Sequence, residues 1–248
     1  MASTSETGHA KNIANFQDLI SFCEGYGETY NPTKESLKIP QLKTLYQTAQ
    51  DKLNASKTQK TNFDNATNER RNAFKDLKPL STKIVNAFAV SGADALAQNN
   101  LKSVNKKLQG STSNAKKPET TANSLTTPET AKTISTSQQS YDRLIDHFAN
   151  AIEILEQNSM YAPNENNLKV DALKDKLSEL QTKNKDLINA YTSYSNAMIE
   201  RNQTLYNTLT GIVQTAKEVK QYVKSIFGAT SPQYKQVSGI EFKVVKSE

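Results

Sequence analysis

The sequence has 248 residues, 35% of them hydrophobic, no tryptophan and a formal net charge of +6. That apolar share lies below the roughly 45–50% (glycine included) of ordinary globular domains, which argues against a thick core and for long helices with narrow apolar stripes. A single cysteine, Cys23, excludes an intrachain disulfide and a thiolate metal cluster, and no apolar run approaches the ~18 residues of a membrane-spanning helix.

In chain order, "MASTSETGHAKN" lacks the apolar core and basic flank of a secretory signal. It reads as a frayed start that carries His9, and the cytoplasm is the expected compartment. A first helix is predicted over 12–27, with Cys23 in "LISFCEG" as a buried packing thiol. A Tyr-x-Pro turn follows at Tyr30–Pro32, because proline pushes its predecessor out of helical geometry. A long helix is expected over 40–90, kinked or broken by Pro79. After Gly92, "DALAQNNLKSVNKKL" reads as a closing helix. Residues 111–139, rich in Ser, Thr, Pro and Lys, bury too little to offset their ordering entropy and read as a flexible linker. A helix over 140–158 carries His147, and a second Tyr-x-Pro turn follows at Tyr161–Pro163. From 171 to 227 apolar residues recur at alternating steps of four and three, with Asn184 and Arg201 in two seam places and a 4-4 step at 201–205–209. That predicts one helix of some 55 residues, on the order of 80 Å long. Beyond Gly228, "SPQYKQVSGIEF" reads as a helical turn leading into an extended tail.

The order of elements repeats, and so do residues. Between 30–70 and 161–201, an offset of 131 without gaps, 13 of 41 positions are identical, which marks an internal duplication. The expected fold is therefore all-α: an elongated antiparallel helical bundle, coiled-coil-like, from two duplicated units. Each unit comprises a short helix, a very long helix and a short closing segment. The domain reading is repeat unit 1 over 1–110, the linker over 111–139 and repeat unit 2 over 140–248.

Both repeats contain Asn-Ala-x-x-Glu-Arg, at Asn65–Arg70 and Asn196–Arg201, near the middle of each predicted long helix. Two related helices crossing antiparallel at their midpoints would bring the motifs together. Glu69 would then reach Arg201, Glu200 would reach Arg70, Ala66 and Ala197 would allow close approach, and Asn65 would bond Asn196. Polar residues in an apolar seam fix register at a cost in stability. A small polar ligand or anion bound at this Glu/Arg cluster is the functional alternative.

Catalytic signals are sparse. His9 and His147 lack partners at metal-ligand spacing, and no phosphate-cradling glycine loop, Gly-x-Ser-x-Gly or HExxH occurs. The expectation is a non-enzymatic scaffold or protein-interaction module, without cofactor, with an unidentified protein partner or a second copy of itself. Nucleic acid is the rival partner. Residues 1–110 hold 15 Lys/Arg against 10 Asp/Glu, whereas 141–248 hold 13 of each. Lys52, Lys57, Lys60, Arg70, Arg71, Lys75, Lys78 and Lys83 all fall on the first long helix, but Asp51, Asp64, Glu69 and Asp76 interrupt them. A third class, a membrane-acting helical protein, rests on "IVNAFAVSGADALA" (84–97), which reads better as core or a helix–helix contact.

Through "YNP", "NATNER", "QQSYD", "YAPNE" and "SIFGATSPQYKQVSG", which span both repeats, the chain resembles two-repeat helical proteins of flavobacteria and their relatives. The resemblance implies a bacterial origin and assigns no activity and no site residue.

Overall fold

Apolar residues at steps of three and four leave the backbone one economical solution, the α-helix. The computed structural model describes residues 4–110 and 139–245, and among them there is no strand. The helices are α1 (Thr4–Gly25), α2 (Ile39–Phe74), α3 (Leu77–Ala89), α4 (Ala95–Gln109), α5 (Tyr141–Glu156), α6 (Val170–Tyr206), α7 (Ile212–Phe227) and α8 (Pro232–Ser238). The predicted linker lies outside the described residues except for Gln139. No helix of the described residues is long and apolar enough to cross a membrane.

Local chemistry explains the boundaries. Asp94 caps α4 by accepting from Leu96 N and Ala97 N, both at 2.9 Å, and Ser231 caps α8 through Tyr234 N. Pro79 sits in the first turn of α3, so its missing N–H and the clash of its ring with the carbonyl of residue 75 fall at the Lys75–Asp76 break. The proline thus divides the first long helix in two.

The second long helix also divides, which corrects the expectation of one continuous helix over 171–227. Asn207 Oδ1 accepts from Leu209 N at 2.9 Å and Thr210 N at 3.1 Å, a side-chain turn that competes with helical bonding. Gly211, buried at the corner, begins α7, and Leu209, assigned to the seam from its spacing, is 78% exposed.

The chain forms two compact units, residues 1–64 with 189–248, and residues 65–188. They do not follow the expected divisions 1–110 and 140–248, since each combines the opening of one with the close of the other. The reason is where the apolar faces go. In the first unit, Phe16, Leu19 and Cys23 of α1 share a core with Leu42 and Ala49 of α2, Leu205 of α6, and Ile212, Ala216, Val219 and Val223 of α7. In the second, Leu77, Ile84 and Phe88 of α3 pack with Leu101 and Leu108 of α4, Phe148 and Leu155 of α5, and Leu173 and Leu180 of α6.

The Tyr-x-Pro loops work alike in both. Tyr30 Oη donates to Leu37 O at 2.8 Å, and Tyr161 Oη donates to Leu168 O at 2.8 Å. Each tyrosine staples a loop and a 3₁₀ turn to the helix that follows.

The N-terminal region differs from the frayed start expected of it. Helix α1 begins at Thr4 and His9 is buried, its Nδ1 2.6 Å from Tyr206 Oη. Two asparagines of α1 then hold the extended tail. Asn12 Nδ2 donates to Lys243 O at 2.7 Å while Asn12 Oδ1 accepts from Lys243 N at 3.0 Å, and Asn15 Nδ2 donates to Glu241 O at 2.5 Å. Phe242 meets Phe16 edge-on, 6.5 Å between centroids.

Candidate interaction surface

The repeated hexapeptides fall in different compact units, and each finds ion-pair partners inside its own. Asn65–Arg70 belongs to the unit 65–188 and Asn196–Arg201 to the other. Glu69 Oε2 pairs with Lys183 Nζ at 2.8 Å and Glu200 Oε2 with Lys52 Nζ at 2.8 Å. Asn65 and Asn196 are exposed. Within the first unit α2 and α6 do run antiparallel: Lys52 faces Glu200, Ser56 faces Arg201, and Phe63 faces Tyr191 and Tyr194. The register there is set by aromatic contact, Phe63 stacking on Tyr194 with planes at 14°. Sequence spacing specifies the face of a helix and not its axial position against a neighbour, and inside its own unit each motif glutamate pairs with a lysine that the spacing did not single out.

The two arginines serve the interior. Arg201 is only 3% exposed; its Nη1 donates to Ser56 Oγ at 3.1 Å, and its Nε and Nη2 donate to Asn202 Oδ1 at 3.1 and 3.0 Å. Arg70 Nη1 donates to Asn184 Oδ1 at 3.1 Å, and the guanidinium lies 3.9 Å over the Tyr141 ring. Asn184 in turn donates to Asp142 Oδ1 at 2.7 Å.

Other chemically capable groups are also tied up. Burial pushes the Cys23 thiol up to about 12, far from thiolate reactivity. His147 is buried, with its basicity lowered first by desolvation and then by Lys107. Of the basic residues on α2 and α3, Lys52 and Lys60 are engaged with Glu200 and Asp64, and Lys78 donates to Gln109 O. Among the described residues no group of three His, Cys, Asp or Glu side chains is placed to hold a metal ion.

Some large apolar side chains, by contrast, face solvent. Val90 is 86% exposed and Met160 57%, and Leu96, Tyr191, Ile199 and Leu209 also face solvent. Val90 and Met160 flank a cleft of about 540 Å³ in the unit 65–188, between α3 and the loop after α5. Its walls include Lys83, Ala87, Tyr161 and Glu165, and burial raises the Tyr161 hydroxyl to about 12. A second depression, of about 440 Å³, adjoins it along α3 and shares Lys83 and Asn167. The segment 84–97, which raised the membrane reading, splits accordingly: Ile84 and Phe88 are core, whereas Val90 and Leu96 are outside. The apolar run was visible in the sequence, but its division between core and surface depends on where α3 ends.

In comparisons with protein-family models, curated proteins and solved structures, nothing matches the chain.

Proposed function

We propose that the chain is a non-enzymatic helical interaction module built on an internal duplication. The observation that carries this is where the reactive side chains and the exposed apolar ones lie. Side chains with catalytic potential, His9, Cys23, His147 and Arg201, are packed inside, while Val90, Met160, Ile199 and Leu209 are presented to solvent. Exposed apolar side chains around a concavity are the ordinary mark of a protein-binding surface. The duplication is supported by ion pairs that recur with the repeats exchanged. Lys52 with Glu200 and Lys183 with Glu69 join positions 131 residues apart in the sequence.

The test is site-specific photo-cross-linking in cells of the source organism, with a photoreactive phenylalanine at Val90, Ile199 or Leu209 and at exposed Ser103 as control. A discrete adduct from an apolar position, absent at Ser103, that reforms from purified components is the expected result. No adduct from any of the three would sink the proposal, and so would turnover of a metabolite by the purified chain. Anion binding through the first repeat is the competing proposal. Retention on heparin beyond ~0.2 M salt would favour it, because several phosphate-like contacts give a steep salt dependence.

A further inference from the structure

The two compact units contain matching corners, and the one in the unit 65–188 keeps an open cleft. In the unit of 1–64 and 189–248, the loop after α1 meets a face of α7. Tyr222 stands edge-on against Tyr30, with centroids 5.3 Å apart, and Lys34 Nζ meets Glu218 Oε2 at 2.6 Å, which holds the Glu218 carboxyl below its ordinary range. In the unit 65–188, the loop after α5 meets α3. The buried positions of the two helices run in step: Leu77, Ser81, Ile84 and Phe88 on α3, and Ile212, Ala216, Val219 and Val223 on α7. On that alignment Ala87 takes the place of Tyr222 and Lys83 that of Glu218, while Glu165 takes the place of Lys34 in the loop. The tyrosyl ring is gone from that position, Tyr161 meeting the buried Phe88 edge-on instead with centroids 5.8 Å apart, and the charges are reversed. No ion pair joins Lys83 to Glu165 among the described residues, and the corner opens as the 540 Å³ cleft.

We propose that this cleft receives an aromatic side chain, tyrosine in preference to phenylalanine, presented by a partner polypeptide. The proposal rests on the interaction-module reading. The chain itself supplies the template for the occupant, since a tyrosyl ring against the loop tyrosine is what closes the matching corner of the other unit. Tyr161 lines the cleft with the small part of its ring that Phe88 and the loop leave uncovered, while Lys83, Asn164 and Glu165 supply groups for a phenolic hydroxyl. A buried aromatic anchor in a pocket is the usual energetic centre of a protein interface. The occupant is a polypeptide, because Val90 and Met160 stand exposed at the mouth, where a chain flanking the anchor would cover them.

The test uses the full chain with ¹³C-methyl-labelled methionine. Met160 reports on the cleft and Met198 serves as an internal control. The probes are N-acetyltyrosine amide, N-acetylleucine amide and tyrosine-containing peptides selected from a random library on the wild-type chain. The tyrosine probe is expected to shift the Met160 methyl resonance saturably by ring current, with the leucine probe and Met198 silent. The selected peptides should bind about tenfold or more tighter than the amide, the equivalent of about 1.4 kcal/mol from flanking contacts. Ala87→Tyr should abolish the response by filling the cleft. Val90→Asp, at an exposed position where a flanking chain would lie, should weaken the peptides more than the amide. Equal response to leucine, an undiminished response in a folded Ala87→Tyr chain, or no Met160 response at all would overturn the aromatic anchor. An amide that binds as tightly as every peptide would replace the polypeptide by a free small molecule and overturn the proposal in that form. The cross-linking experiment decides the broader reading separately.

Discussion

Arg201 of α6 donates to Ser56 of α2 at 3.1 Å from a position almost sealed from solvent. A buried guanidinium is costly unless its donors are satisfied, and Ser56 Oγ and Asn202 Oδ1 accept from it. Truncation leaves both a cavity and unpaired acceptors. Arg201→Ala should therefore cost about 2–4 kcal/mol in urea unfolding, while Arg71→Ala, on the exposed side of α2, should stay within about 0.5 kcal/mol. Glu69→Ala and Glu200→Ala remove half-exposed ion pairs and should each cost no more than about 1 kcal/mol. Equal effects from Arg201 and Arg71 would show that the buried arginine contributes nothing specific.

Asn12 grips the backbone of Lys243 from both sides, accepting from its N–H and donating to its carbonyl. Asn12→Asp keeps the acceptor but sets a carboxylate oxygen against the Lys243 carbonyl. A loss of about 1–3 kcal/mol is expected, together with faster hydrogen exchange at the Lys243 amide. Unchanged exchange there would mean that Phe242 and the Asn15 bond to Glu241 O hold the tail without Asn12.

Burial keeps the Cys23 proton on up to about pH 12, whereas an ordinary thiol releases it near 9.0. The group's pKa is raised on folding, so its contribution is complete below about pH 9 and is lost as the pH climbs toward 12. Tyr161, raised from 10.0 to about 12 by burial, acts in the same direction. The urea midpoint should fall between pH 8.5 and 10.5, and Cys23→Ala should flatten that fall. A thiol-specific reagent should label Cys23 only after denaturant is added.

Much of the architecture was legible because helix faces are written locally. The 4-3 spacing located the helices, Pro79 located the α2–α3 break, and the Tyr-x-Pro pairs located the turns. What was not legible depends on distance. His9 looked like part of a frayed end because its partner, Tyr206, is 197 residues away. The lysine partners of Glu69 and Glu200 were not legible because a repeat reveals equivalent positions without saying which residues of a neighbouring helix stand opposite them. Leu209 matched the seam by spacing alone, and nothing local showed that the Asn207 side chain would break the helix two residues earlier. The cleft was hidden for a related reason. Ala87 is unremarkable until it is set beside Tyr222, and that comparison needs the burial pattern of both helices.

Gly211 offers a sharp test of the α6–α7 corner. A methyl group there would stand 2.6 Å from Asn207 N and 2.8 Å from its carbonyl oxygen, both backbone atoms that cannot rotate away. Its φ of −73° suits any residue, so the penalty is steric. Gly211→Ala should cost about 1–3 kcal/mol, which for a chain of this size lowers the melting temperature by about 2–4 °C per kcal/mol. A melting temperature within 1 °C of wild type, against that ~2–4 °C scale, would show that the corner yields.

The division of the sequence between the two units sets the order in which the protein is made. Residues 65–188 are contiguous, so the whole of that unit is synthesised before residue 189 is reached. The other unit needs 189–248 to complete the core that Phe16, Leu19 and Leu42 begin. The 124 residues in between take roughly 6–25 s to synthesise at ribosomal rates. Throughout that interval the nascent α1 and the opening turns of α2 carry an apolar surface whose native cover has not yet been translated. Growth temperature and holding chaperones should therefore govern the yield of this protein more than its final stability does.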